Sequence, residues 1–268
     1  MVYKKIPLDE DNENIYLECF VPDKIDNFTR KAVLVIPGGG YGSICSDREG
    51  EPIALAFMAQ GFNAFVLHYS VASNSNKHFP SQLIEASKAM KFIRDNADEF
   101  GHDKNKVFAT GFSAGGHLCA MTGILWNLPE IYEAIDMPYG YNKPTGIMPI
   151  YPVINEHNDS FVNLLGTRSP TQEQLYRVHL EKHVTKDSSP AFIMHTSNDQ
   201  IVPVSNSLDL ARAYADVGLM FELHIYPDAP HGVALGNEIT SIDVPGWIDS
   251  SIAKWVENAV CFTEKITK

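Results

Sequence analysis

The stretch that decides the fold is VFATGFSAGGHL, residues 107–118. A short apolar run is followed by the G-x-S-x-G pattern of residues 111–115, and then by residues that favour a helix. A serine between a strand and a helix is held in a strained turn that exposes its hydroxyl, and the flanking glycines avoid clashes. The stretch therefore predicts a catalytic nucleophile at Ser113. A plain loop of small residues is the alternative.

The alternation of strand and helix continues on both sides of this stretch. Buried strands are predicted for KAVLVIPGGG (31–40) and NAFVLHYSV (63–71), and helices for EPIALAFMAQGF (51–62) and SQLIEASKAMKFIRDNADEFG (81–101). The second half repeats the pattern, with strands in TGIMPIYPVI, PAFIMHTSND and MFELHIYPD, and helices in SNSLDLARAYADVG and PGWIDSSIAKWVENAVCFTEK. This alternation predicts an α/β fold with a mostly parallel sheet of about eight strands and helices on both faces.

The beginning of the chain has a different pattern. YKKIPLD (3–9) and IYLECFVPD (15–23) are short strand-like runs with little chain between them, which is typical of an antiparallel hairpin at a sheet edge. No apolar stretch follows the two N-terminal lysines, so we expect no secretory signal.

Bulk properties exclude several classes of function. The 268 residues carry a formal net charge of −12, which argues against nucleic acid or an anionic membrane surface as partner. The sequence contains no run of about 18 apolar residues, so no membrane span is predicted. The four cysteines are far apart, as expected of reduced thiols in a cytoplasmic protein. The sequence leaves the oligomeric state open, with a homo-oligomer as one option.

One domain is expected to cover residues 1–268, because no internal repeat or linker interrupts the chain. The polar stretch at about 155–190 breaks the strand–helix rhythm. We interpret it as a small insertion near the site, either a partial lid or a substrate-contacting loop. Its side chains Phe161, Arg168 and Tyr176 fit substrate contact and core coverage equally well.

A serine nucleophile needs a base, and His231 in YPDAPHGVAL (226–235) is the best candidate. It lies in a loop directly after the last predicted strand. Other histidines lie within predicted strands or on the helix after Ser113: His68, His117, His195 and His224. His179 and His183 have a spacing that can bind zinc, but no third ligand is evident, so we expect neither a metal nor a cofactor.

An acid must hold the base, and Asp199 in AFIMHTSNDQIVPV (191–204) follows the preceding strand directly. Asp228, three residues before His231, is the second candidate, although a turn residue between prolines is the simpler interpretation. The chain order Ser113, Asp199, His231 is the order expected for a nucleophile on this kind of turn.

The loop VIPGGGYGS (35–43) follows the first core strand, where a second set of oxyanion donors is expected. We predict that the N–H groups of Gly39 and Gly40 join that of Ala114, with the Tyr41 N–H as an alternative and Tyr41 as a possible substrate contact. A phosphate-binding loop is the competing interpretation, but the sequence has no Gly-Lys-Ser/Thr continuation.

With these residues in place, the chain resembles the α/β-hydrolase superfamily over nearly its whole length. It looks most similar to small bacterial esterases of the acetylxylan-esterase, lipase/esterase and feruloyl-esterase-like groups. The resemblance lies in PGGGYGSICSDREGEPIALAFMAQGFNAFVLHYSV, VFATGFSAGGHLCA, PAFIMHTSNDQIVPVSNSLDLARAY and HIYPDAPHG. It implies that Ser113 is the nucleophile, Asp199 the acid, His231 the base and residues 38–41 the oxyanion loop. Lipase relatives carry a histidine where Pro37 stands, so the resemblance favours the sugar-deacetylating esterases.

The resulting expectation is a serine carboxylic-ester hydrolase for short acyl chains, with a small-molecule ester such as an acetylated sugar or xylo-oligosaccharide as substrate. A prolyl-oligopeptidase-like peptidase shares the motif and the chain order, but 268 residues leave no room for its large N-terminal domain. A non-catalytic binding protein that retains the fold is the third hypothesis.

Overall fold

The computed structural model describes residues 1–155 and 159–268. The strands in this part of the chain are β1 (Val2–Pro7), β2 (Tyr16–Val21), β3 (Arg30–Ile36), β4 (Phe62–His68), β5 (His102–Phe112), β6 (Ile147–Ile150), β7 (Ala191–Thr196) and β8 (Phe221–Tyr226). The α-helices are α1 (Ser46–Glu49), α2 (Glu51–Ala59), α3 (Ser81–Asp95), α4 (Ala97–Phe100), α5 (Ala114–Ile124), α6 (Pro129–Ala134), α7 (Asp159–Leu165), α8 (Gln172–Val178), α9 (Ser205–Val217), α10 (Glu238–Ser241) and α11 (Trp255–Lys265).

The strands form one sheet in the order β1-β2-β4-β3-β5-β6-β7-β8. β2 pairs antiparallel with both β1 and β4, and the strand pairs from β4 to β8 are parallel. The predicted mostly parallel sheet of about eight strands is confirmed, and the N-terminal hairpin lies at its edge as expected.

Helices cover both faces of the sheet. Alternate residues of β3 point to opposite faces, so that Leu34 and Ile36 join one apolar cluster while Val33 and Val35 join the other. Helices α3, α5 and α9 contribute to the first cluster, and α2 and α11 to the second. Burial on both faces explains why the central strands read as continuous apolar runs in the sequence.

The sheet order creates a crevice at the carboxyl ends of the strands. β3 has β4 on one side and β5 on the other, so the chain reverses the direction of its crossovers at this point. Ligands of open α/β sheets bind where such a reversal occurs. The loops that follow β3, β5, β7 and β8 carry Gly39, Gly40, Tyr41, Ser113, Asp199 and His231, and Ala114 begins α5 directly after Ser113.

The predicted insertion at 155–190 includes residues 156–158, which lie outside the described residues. In its described part, α7 and α8 pack against the body of the molecule. Phe161 is completely buried in the core cluster, so it covers core rather than contacting substrate. Arg168 and Tyr176 are exposed, and the guanidinium of Arg168 lies 3.9 Å from the carboxylate of Asp159. A partial lid remains a prediction.

The C-terminal helix is shorter than the sequence pattern indicates. The prediction began at residue 245, whereas α11 begins at Trp255, preceded by a single 3-10 turn at Ile252–Lys254. Gly246 has a φ of 84°, and the Asp249 carboxylate accepts hydrogen bonds from the N–H groups of Ser251 and Ile252, which favours a turn here. No helix within residues 1–155 and 159–268 is long and apolar enough to cross a membrane.

Candidate active site

Ser113 lies in the tight turn between β5 and α5, with φ 54° and ψ −119°, a strained conformation for a residue with a side chain. The flanking glycines are required by close backbone approach. A Cβ at Gly111 would lie 2.2 Å from the carbonyl oxygen of Gly115, and a Cβ at Gly115 would lie 2.2 Å from that of Ile36. The sequence pattern therefore has a steric cause.

The imidazole of His231 connects Ser113 to Asp199. Its Nε2 atom lies 2.9 Å from the Ser113 Oγ, and its Nδ1 atom lies 2.6 Å from the Asp199 Oδ2. An ionised carboxylate only accepts hydrogen bonds, so Nδ1 carries the proton and Nε2 accepts the one from the serine. The structure thus brings together the three residues that the sequence singled out.

The Asp199 carboxylate is buried and fully hydrogen-bonded. Its Oδ1 accepts the backbone N–H groups of Ile201 and Val202, each at 2.9 Å, while its Oδ2 faces His231. His195 Nε2 lies 3.4 Å from the same Oδ2. Burial alone raises the pKa of Asp199, but the nearby His195 imidazole and the hydrogen bonds from His231 and Val202 hold it well below its usual range.

Three consecutive side chains tie the His231 loop to the end of β7. The Thr196 hydroxyl donates to the carbonyl of Ala229 and the Ser197 hydroxyl to that of Pro227, both at 2.8 Å. Asn198 accepts the N–H of Ala229 at 3.0 Å. The His231 loop is therefore held in place by the end of β7 and the residues between β7 and Asp199.

The competing residues have other partners. Asp228, the second candidate for the acid, is exposed and bonds the Asn198 amide. His183 contacts the carbonyl of Tyr176, and His224 pairs with Glu222. No group of three or more His, Cys, Asp or Glu side chains suited to a metal ion occurs among the residues that the structure describes.

The glycine loop after β3 lies opposite the N-terminus of α5. Gly39 and Gly40 have φ values of 123° and 63°, which residues with side chains rarely adopt. The loop is fixed at Gly39, whose carbonyl accepts the N–H groups of Gly42 and Ser43 at 3.0 Å each. It is also fixed at Gly40, whose carbonyl accepts the Asn163 amide at 2.9 Å. Gly39 and Gly40 both line the cavity beside Ser113.

The structure corrects the suggestion that Tyr41 contacts the substrate. Its side chain is completely buried, and its hydroxyl pairs with the Nδ1 atom of His117 at 2.9 Å. The ring packs edge-on against Tyr69, inside the core. Only the backbone N–H of Tyr41 remains as a candidate for the site.

A cavity of about 430 Å³ opens at Ser113 and His231. Polar side chains form much of its wall: Arg48, Glu49, Asp159, Ser160, Asn163 and Gln200. No sequence motif marks these residues as a group, because they come from three separate segments of the chain. His195 lies in β7, as predicted, and its Nε2 atom also approaches the Asp199 carboxylate to 3.4 Å, which the sequence did not indicate.

The sheet order, the strained serine turn and the glycine loop together define an α/β-hydrolase. Residues 17–214 match the model of the BD-FAE family. The chain belongs to this family, and its predicted place among the α/β-hydrolases of the acetylxylan-esterase group is confirmed.

Two relatives of the chain carry names from xylan degradation. The chain is 38% identical to endo-1,4-beta-xylanase B of Butyrivibrio fibrisolvens over 80% of its own length and 34% of that protein. It is 27% identical to an acetylxylan esterase of Xylanibacter ruminicola over 87% of its own length and 47% of that protein. The chain thus spans less than half of either relative.

Among solved structures, the chain is similar to an acetyl ester-xyloside bifunctional hydrolase from Caldicellulosiruptor lactoaceticus. The TM-score is 0.82 at 30% sequence identity, and the match covers 98% of this chain and 96% of the other. The fold is therefore shared along the whole length of that protein.

Proposed function

We propose that this protein is a serine carboxylic-ester hydrolase, with Ser113 as nucleophile, His231 as general base and Asp199 as the acid that orients it. The observation that carries the proposal is the continuous hydrogen-bonded chain from the Ser113 Oγ through His231 to Asp199, at 2.9 and 2.6 Å. This is the arrangement that activates a hydroxyl for attack on a carbonyl carbon.

In the proposed reaction, the Ser113 Oγ attacks the ester carbonyl carbon while His231 Nε2 takes the hydroxyl proton. Backbone N–H groups of Gly39, Gly40 and Ala114 stabilise the negative charge on the carbonyl oxygen. The ester C–O bond then breaks, and the alcohol leaves with the proton from His231. Water, deprotonated by His231, cleaves the acyl-serine and releases the acid.

Short acyl esters of sugars are the proposed substrate class. The cavity of about 430 Å³ is at the small end of the range for ligand pockets. Its wall carries side chains able to pair with sugar hydroxyls, among them Arg48, Asn163 and Gln200. The names of the two relatives and of the similar structure, which refer to xylan and acetyl esters, support the same class.

The direct test compares the purified protein with S113A on p-nitrophenyl acetate and on a panel of acetylated xylo-oligosaccharides. We expect the wild-type protein to release acetate and S113A to lose nearly all turnover. Full turnover by S113A would contradict the role of Ser113. Preference for aminoacyl amides over esters would favour a peptidase, and failure of a fluorophosphonate to label Ser113 would favour a non-catalytic protein.

A further inference from the structure

A buried carboxylate lies beneath the glycine loop, outside the Ser113–His231–Asp199 chain. Glu49, at the end of α1, is only 1% exposed. Its Oε2 accepts the backbone N–H of Gly38 at 2.9 Å. Its Oε1 accepts the Tyr151 hydroxyl at 3.0 Å and the Arg48 guanidinium at 3.2 Å. Three donors from three segments therefore converge on one side chain.

Two of these donors also bind the loop that carries His231. The Arg48 Nη1 donates to the carbonyl of Gly232 at 2.8 Å. The Tyr151 hydroxyl accepts the N–H of Ala234 at 3.1 Å, and the Tyr151 ring packs edge-on against His231 with centroids 5.1 Å apart. Glu49 thereby connects the loop at residues 38–40 with the loop at residues 231–234.

The chemistry of this junction requires a carboxylate. Each group that faces Glu49 presents a proton, so both oxygens must accept. A glutamine would turn its NH₂ group either toward the Gly38 N–H or toward Arg48 and Tyr151, and one side would then lose its hydrogen bonds. Burial raises the pKa of Glu49, and the charge of Arg48 and the hydrogen bonds from Gly38 and Tyr151 oppose that shift.

We propose that Glu49 is a positioning residue for ester hydrolysis, which fixes the glycine loop and His231 relative to one another. The inference rests on the proposed function. Its physical basis is that oxyanion donors and the base act only within narrow distances of the reacting atoms, so a small displacement of either loop slows the chemical step. Binding of p-nitrophenyl acetate, which has no sugar hydroxyls for Arg48 to pair with, depends much less on this alignment.

The test is E49Q, which changes charge but hardly volume, assayed on p-nitrophenyl acetate. Rates are expressed per active site, counted by stoichiometric fluorophosphonate labelling, so that loss of folded protein does not count as loss of activity. We expect kcat to fall roughly 10- to 100-fold, less than outright removal of an oxyanion donor, while KM changes less than about 3-fold.

Two variants serve as matched controls. E51Q removes the same charge from an exposed glutamate two residues away, and E18Q alters a buried glutamate on β2 that bonds Tyr3 and His68. We expect both to keep wild-type kcat. An E49Q kcat per active site equal to that of the controls would overturn the inference, as would a large rise in KM at constant kcat.

Y151F supplies a second variant, since it removes one hydroxyl and keeps the buried ring. We expect kcat to fall about 3- to 10-fold and its effect to be non-additive with E49Q, as for residues that share one network. Additive effects, or wild-type kcat in Y151F, would contradict the connection. If the wild-type protein neither hydrolyses the ester nor takes the label, the proposed function fails and this inference fails with it.

Discussion

The side-chain amide of Asn163 donates a 2.9 Å hydrogen bond to the backbone carbonyl of Gly40. Asn163 lies on α7, in the polar insertion, whereas Gly40 lies in the loop after β3. The backbone carbonyl of Asn163 lies 3.2 Å from the Nδ1 atom of His78. The insertion therefore supports the glycine loop.

This contact predicts that N163A slows the chemical step. Without the amide, the Gly40 carbonyl loses a partner worth about 1 kcal/mol, and the neighbouring N–H groups lose part of their alignment. We expect kcat on p-nitrophenyl acetate to fall roughly 3- to 10-fold, because a rise of about 1 kcal/mol in the activation free energy slows a reaction by this factor. Q172A, at an exposed position on α8, is the control. Equal kcat values for the two variants would contradict the prediction.

A second prediction separates the two candidates for the acid. In D199N the amide cannot hold the His231 proton on Nδ1 as the carboxylate does, and we expect kcat to fall by a factor on the order of 10⁴. D228N should stay within about 2-fold of the wild type, because Asp228 bonds Asn198 at the surface. Steady-state kinetics of the two variants decide the assignment, and a larger loss in D228N would reverse it.

Thr196 provides a prediction for the attachment of the His231 loop. T196V keeps the shape of the side chain but leaves the buried Ala229 carbonyl without the hydroxyl that now donates to it. We expect the free energy of unfolding to fall by about 1–3 kcal/mol and kcat to fall as well. S197A removes a similar hydrogen bond at an exposed position, and we expect it to lower the free energy of unfolding by less than T196V does. Urea unfolding and kinetics on both variants provide the check.

The buried imidazole of His102 predicts a loss of stability in acid. Burial lowers the pKa of His102 from 6.5 to about 4, with a 3.0 Å hydrogen bond from its Nε2 to the carbonyl of Ile93 opposing the shift. Since the folded pKa is the lower one, the unfolded chain binds protons first. The contribution of His102 to the free energy of unfolding is complete above pH 6.5 and is lost as the pH falls toward 4.

Between pH 7.5 and pH 5 this loss amounts to about 2 kcal/mol from His102. In H102Q, whose amide can still donate to the Ile93 carbonyl, the free energy of unfolding should fall by about 2 kcal/mol less over the same interval. Urea titrations at the two pH values measure the difference. A loss of unfolding free energy in H102Q that parallels the loss in the wild type would refute the assignment of this acid sensitivity to His102.

Local patterns were sufficient to predict the strands, the major helices and the three residues that meet at the cavity. Ser113, Asp199 and His231 each follow a strand, and parallel strands bring their carboxyl ends to one edge. Their catalytic roles, the single domain and the cytoplasmic location stay predictions.

The contacts around these residues could not be predicted, because they depend on packing between distant segments. Glu49 appears in the sequence as one more charge in SDREGEP, and nothing nearby indicates that it is buried against Tyr151. Tyr41 illustrates the opposite error. Its place in the glycine loop suggested a role in the site, but its positive φ of 54° accompanies a ring that turns into the core.

All eleven residues of α5 are buried, so the helix that follows Ser113 has no surface on which change is tolerated. The cavity rim is different, since Asp159, Gln200 and Ile201 line the cavity but are exposed to solvent. We therefore expect sequence divergence to accumulate at the rim at little cost in stability, while Ser113 and α5 stay fixed. Directed evolution toward a new ester should start at those three positions and leave α5 untouched.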